Sequence, residues 1–301
     1  MTLIDRLFSA VSIVLIIFAT HVSSNPSLRV TSRHSSKYFR EPAGSLARVH
    51  YDLRYFREEI TYNERRIVLQ NLIRSYLDIM QAKGVETWLA HGTLLGWWWN
   101  AQVMPWDYDL DVQVSNKTMA WLAGNLNGTQ HTYTVDENSE VALADVPGGA
   151  SKGSHNRSYL LDVNPHYVDR SSTDGCNLID GRWVDVENGM YVDITVLHER
   201  TGQQQADGEW SCKNGHQYKT QDLWPLRATE FEGVPARIPH NVEEILREEY
   251  SQRSMTTEAH QYHQWDHDLK QWVMEDPEQR LRAKSAAASR KKQQMENQRR
   301  L

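Results

Sequence analysis

Apolar residues recur near helical spacing between positions 53 and 83, at Ile60, Ile67, Leu72, Ile73, Tyr76, Leu77 and Met80, and Gly84 supplies a natural stop. This pattern predicts a long helix packed against a sheet. Thr87-Trp88-Leu89-Ala90 then reads as a short buried strand, and Gly92-Thr93 turns the chain into a short helix from about Leu94. After Pro105-Trp106 the period changes. Asp109-Leu110-Asp111-Val112 alternates acid with apolar side chain, so an extended strand would turn both carboxylates to one face. Ser115 or Asn116 caps a helix reaching about Leu126. Residues 182–186 and 190–197 are strand-like, and the Glu187-Asn188-Gly189 between them carries the Asn-Gly signal of a hairpin. In the second run Val192, Ile194 and Val196 alternate with Tyr191, Asp193 and Thr195, which puts Asp193 on the polar face.

A chain of 301 residues can bury a substantial core, and one domain with extensions fits better than two equal halves. The net charge of −6 hides a split: from Gln279 onward eight basic residues meet a single acid, Glu296, leaving 25 basic against 38 acidic residues elsewhere. The acidic body argues against nonspecific nucleic-acid binding. The basic tail reads as a solvated helix or a disordered segment. Residues 7–22 are apolar apart from Ser9, Ser12, Thr20 and His21, with Arg6 ahead and Ser23-Ser24 behind. These 16 residues fall short of the roughly 20 that span an untilted bilayer, so the segment reads as a secretory signal or a short signal anchor. Three glycosylation sequons, at Asn116, Asn127 and Asn156, agree with passage through a secretory pathway. Cys176 and Cys212 are the only cysteines, either disulfide-bonded or two free thiols. The expected organisation is a signal or anchor over 1–24, a stem over 25–52, a catalytic-type domain over 53–252, and a helical extension with basic tail over 253–301.

Candidate chemistry gathers around the acidic strand. Two like charges brought close need a cation, and magnesium or manganese accepts carboxylate oxygens while leaving positions open for phosphates. Asp109 and Asp111 are the first candidates; Asp107 either lines the same face or buttresses the turn. Backbone amides at the helix start after Gly92 suit phosphate oxygens, and the Thr93 hydroxyl either caps the helix or donates to phosphate. The planar fork of Arg182 suits phosphate or a structural carboxylate such as Asp162 or Asp180. Residues 136–157 read as a long polar loop whose Lys152, His155 and Arg157 either meet donor phosphates or stay solvated. His91 reads as a hydrogen-bonded structural histidine ahead of a general base. Of Trp97-Trp98-Trp99, at least one ring is expected in the core and another against a base or sugar. His260, His263 and His267 show helical spacing and read as a polar face rather than a metal site.

The block Gly92-Thr93-Leu94-Leu95-Gly96, then Pro105-Trp106-Asp107-Tyr108-Asp109-Leu110-Asp111, fills every position in the core motif of the LicD, fukutin and fukutin-related family, which this chain resembles. Residues 159–165, 177–185, 191–196 and 231–239 look like segments of its fungal branch, associated with mannosylphosphorylation, so the resemblance covers roughly 55–251. It implies an α+β fold, mixed α/β in character, with a nucleotidyltransferase-like mixed sheet flanked by helices. It also implies a metal site completed by a third carboxylate from a neighbouring strand, with Asp193 the best candidate and Asp185 its competitor. Catalytic roles then fall to Asp109, Asp111 and Asp193, donor phosphate to Gly92, Thr93 and Arg182, and Mg2+ or Mn2+ to Asp109, Asp111, Asp193 and Asp107. The implied partners are a nucleotide-activated donor, GDP-mannose or CDP-linked, and a glycan acceptor. The implied location is the Golgi or secretory lumen, as a single-pass type II protein or secreted after cleavage, with membrane contact only through an uncleaved N-terminus. Two other readings remain open: a noncatalytic regulator of another transferase, and an Asp-x-Asp glycosyltransferase that moves sugar without phosphate.

Overall fold

The computed structural model describes residues 37–135, 154–171, 176–200 and 208–276. The signal or anchor, residues 25–36 of the stem, Lys152 and the basic tail lie outside them. Among the described residues no helix is long and apolar enough to cross a membrane.

The architecture is mixed α+β around one eight-stranded sheet. Helix α1 (Tyr62–Ala82) starts later than its apolar spacing predicts, because Thr61 and Glu64 form a reciprocal capping box that fixes its first turn. Strand β1 (Trp88–Leu89) leads into α2 (His91–Asn100), β2 (Leu110–Ser115) and α3 (Asn116–Asn125), the last capped by the Ser115 side chain accepting from the Thr118 amide. Then come β3 (Thr129–Val135), β4 (His155–Val163), β5 (Gly181–Asp185) and β6 (Tyr191–Glu199). The sheet order is β1-β2-β6-β5-β4-β3, and only the β2–β6 pairing is parallel. β7 (Glu209–Ser211) and β8 (Gln217–Lys219) extend it from β6. A short α4 (Thr220–Leu223), the hairpin β9 (Arg227–Phe231) with β10 (Val234–Ile238), and α5 (Val242–Ser254) follow.

The register sorts side chains between two faces. Val112 lies opposite Ile194 and Leu110 opposite Val192, so these apolar residues share one face with Trp183, whose indole donates to Ser75 of α1. Met119 of α3 packs beside Gly181 on that face. The intervening Asp111 and Asp193 lie opposite each other and therefore share the other face. Strand β6 is buried throughout except at Glu199, as a parallel pairing covered on both faces requires.

The hairpin read from Asn-Gly forms where expected. Gly189 sits at φ 88°, and a Cβ there would lie 2.9 Å from the Phe56 nitrogen, so glycine is required by conformation and by space. Two segments differ from the sequence reading. The polar loop before residue 157 gives way to β4 at His155, which pairs with the unanticipated β3. Among the described residues after Ser254 the expected helical extension gives way to strands: β11 (Ala259–His260), β12 (His263–Asp266) and β13 (Gln271–Met274) form an antiparallel meander. Gln261 and Tyr262 take positive φ in its first turn, and Trp265 pairs across to Trp272, so the histidines at helical spacing are strand and turn residues.

Candidate active site

The start of α2 is the pivot of the site. His91 takes a left-handed conformation at φ 49°, and the Leu94 amide donates to the Ala90 carbonyl to close the first turn. Gly92 faces the Asp107 carboxylate, whose Oδ2 would lie 3.7 Å from a Cβ at that position. Thr93, expected on phosphate or as a cap, serves otherwise. Its buried Oγ1 accepts the Asp111 amide at 2.8 Å, tying the helix start to the acidic strand. Asp109 lies just before the strand, which begins at Leu110.

Asp107, Asp109 and Asp111 line a cleft of about 220 Å³ together with Gly92. Burial pushes the Asp111 carboxyl well above its usual value, and the charges of Asp109 and Asp193 add to that rise. Asp107 is raised by burial and then by Asp109 and Asp111. Burial also opposes ionisation of Asp109, yet the His50 imidazole, 3.5 Å from its Oδ2, holds it below the usual range. Asp193 is raised by burial to about 6, with Arg182 acting against the rise. Burial and neighbouring carboxylates disfavour the charged forms of Asp107 and Asp111, and carboxylate oxygens are the donor type that a hard divalent cation takes.

Arg182 is committed elsewhere than the donor-phosphate role expected of it. Its Nε donates to Asp193 Oδ1 at 2.9 Å, its other edge donates to Glu41 at 2.8 Å, and the guanidinium stacks 3.6 Å from the Tyr191 ring centre. The carboxylates suggested for it have other partners: Asp162 pairs with Arg54 at 2.6 Å and Asp180 with Lys213 at 2.7 Å. Asp185, the competitor for third ligand, holds its own hairpin turn and pairs with Arg157 at 2.7 Å. Arg157 is thereby engaged away from the cleft. Cys176 and Cys212 are not joined by a disulfide.

Several lining residues escaped the sequence reading because distant segments supply them. Tyr250 and Ser254 come from the end of α5, and His260, Gln261 and Trp272 from the meander. Trp99 packs its ring 4.7 Å from Trp272, and Trp106 lies 4.9 Å from the same ring, so the indoles form one aromatic wall. Tyr108, between two of the acids, is clamped with Arg65 at 3.6 Å on its ring and His50 at 5.4 Å. Behind the cleft, His91 Nδ1 lies 2.9 Å from Glu249 Oε2, and Tyr218 donates to Glu249 Oε1 at 2.7 Å. Burial would lower the His91 pKa, but the Glu249 carboxylate outweighs it and lifts the group to about 9.

Comparison with known proteins adds an independent line. Residues 84–146 match the family model described as LicD/FKTN/FKRP, nucleotidyltransferase domain. The chain is 31% identical over 179 residues to Mannosyltransferase regulator 4 of Saccharomyces cerevisiae, covering 57% of this chain and 14% of that protein. Mannosyltransferase regulator 14 of the same yeast is 30% identical over 188 residues, 59% of this chain and 17% of that protein. Human Ribitol 5-phosphate transferase FKRP is 24% identical over 181 residues, 59% of this chain and 30% of that protein. The chain thus spans less than a third of the length of these relatives.

Proposed function

Because the chain belongs, through residues 84–146, to the LicD/FKTN/FKRP family, we propose that it transfers a phosphorylated sugar or polyol from a nucleotide-activated donor to a glycan. The observation that carries this reading is the register of Asp111 beside Asp193, with Asp107 and Asp109 in the same cleft against the start of α2. In this proposal Asp109 and Asp111 hold Mg2+ or Mn2+, with Asp193 and Asp107 in support. Such an ion supplies charge neutralisation for the phosphoryl group in transfer.

The chain's own residues do the rest. Amides at the α2 start receive donor phosphate oxygens, and Gly92 lets the phosphate approach the backbone. Thr93 and Arg182 act as braces, fixing Asp111 through its amide and Asp193 through its carboxylate. Trp99, Trp106 and Trp272 offer faces and edges for a base or sugar ring and exclude water from one side. A secretory lumen is proposed as the setting; the exposed Asn127 and Asn156 sequons support it. A second reading, a noncatalytic regulator of another transferase, is favoured by the likeness to the two yeast mannosyltransferase regulators. The retained acid cluster weighs against it, because an inert scaffold gains nothing from gathering like charges. The purified chain, incubated with Mn2+, a panel of nucleotide donors and glycan acceptors, should yield product heavier by a sugar phosphate or polyol phosphate. Absence of turnover with every donor would favour the regulator.

A further inference from the structure

Behind the α2 start, and apart from the carboxylate cleft, we infer that His91, His216 and Glu249 form a second metal site, suited to a zinc-class dication. Their donor atoms lie within 4.8 Å of one another. His91 and Glu249 are already 2.9 Å apart through Nδ1 and Oε2, and the two imidazole rings are 4.4 Å apart between centres. Zinc–nitrogen distances of about 2.0–2.1 Å place tetrahedral donors roughly 3.3 Å apart, so small side-chain shifts would close the set. Two nitrogens and one carboxylate oxygen are the donor type that favours zinc over magnesium, and three protein ligands leave one position open.

Glu249 and His216 are oriented from behind, as metal ligands usually are, and His91 Nε2 lies 3.4 Å from the Gln113 side-chain amide nitrogen. Tyr218 donates to Glu249 Oε1, leaving Oε2 for the ion. Cys212 Sγ lies 3.4 Å from His216 Nδ1, which leaves Nε2 of that ring to the cluster. His91 and Glu249 keep only 5% and 7% of their side-chain surface exposed. His91 also occupies a left-handed backbone conformation, at φ 49°. Loading displaces the proton at His91 Nδ1 to solvent. An ion here would pin α2 and α5, both of which line the cleft, to the β7–β8 turn that carries His216.

The test uses the full chain, stripped with chelator and titrated with Co2+ and Zn2+. D109N/D111N should take up one Co2+ per chain with the intense visible bands of a four-coordinate ion, and wild type should show the same bands at the same intensity per chain. H216N should lose at least tenfold in affinity. As a readout independent of that variant's folding, Zn2+ should raise the Tm of D109N/D111N. Absence of both the bands and the Zn2+-dependent rise in D109N/D111N would overturn the site, as would H216N binding Co2+ as tightly as wild type.

Discussion

Thr93 Oγ1 and the Asp111 amide form the shortest tie between the α2 start and the acidic strand. Thr93→Val strands that amide without its buried acceptor, at a cost of about 1–3 kcal/mol, while Thr93→Ser keeps the oxygen. Urea melts of the pair should therefore separate, and transfer should fall with Val and recover with Ser. Arg182→Gln leaves Asp193 and Glu41 facing each other without a cation, so a loss of about 3–5 kcal/mol is expected in the same assay. That Asp107, Asp109 and Asp111 share a cleft was legible because they lie within five residues of one another, although only Asp111 is on the strand that the alternation predicted. The braces were not, since Thr93 and Arg182 carry groups equally able to bind phosphate or protein, and only the fold chooses between them.

Local signals decided the elements that formed as expected. The β5–β6 hairpin follows from Asn-Gly, and Gly189→Ala should cost about 1–3 kcal/mol from the backbone conformation alone, more with the contact against Phe56, read as a lowered denaturation midpoint. Helix α3 follows from its Ser115 cap, and α1 from apolar spacing trimmed by the Thr61–Glu64 box. The meander was illegible by the same rules: His260, His263 and His267 mimic helical spacing, while the strands depend on the Trp265–Trp272 pair and on Trp99 packing from far upstream. Trp272→Ala should loosen this wall and weaken donor or acceptor binding, seen as a higher KM with a smaller change in kcat.

At the scale of the whole molecule, the cleft joins parts of the chain that have no sequence proximity: the α2 start, the acidic strand, α5 and the meander. Its charge balance sets a pH dependence. Asp193 titrates near 6 in the folded chain, above its usual value, so its contribution favours the fold at low pH and is lost as pH rises from about 4 through 6. A bound dication reverses that loss, since protons and metal compete for the same oxygens. The Mg2+-induced rise in Tm should thus be small at pH 5 and grow toward pH 8. The most direct measurement is product mass from the purified chain with Mn2+ and nucleotide donors, wild type beside D109N/D111N. Wild type is expected to add a phosphate-bearing sugar or polyol to the glycan, and the folded double variant to add none. Undiminished transfer by the variant would contradict the assignment of the acid cluster as the catalytic centre.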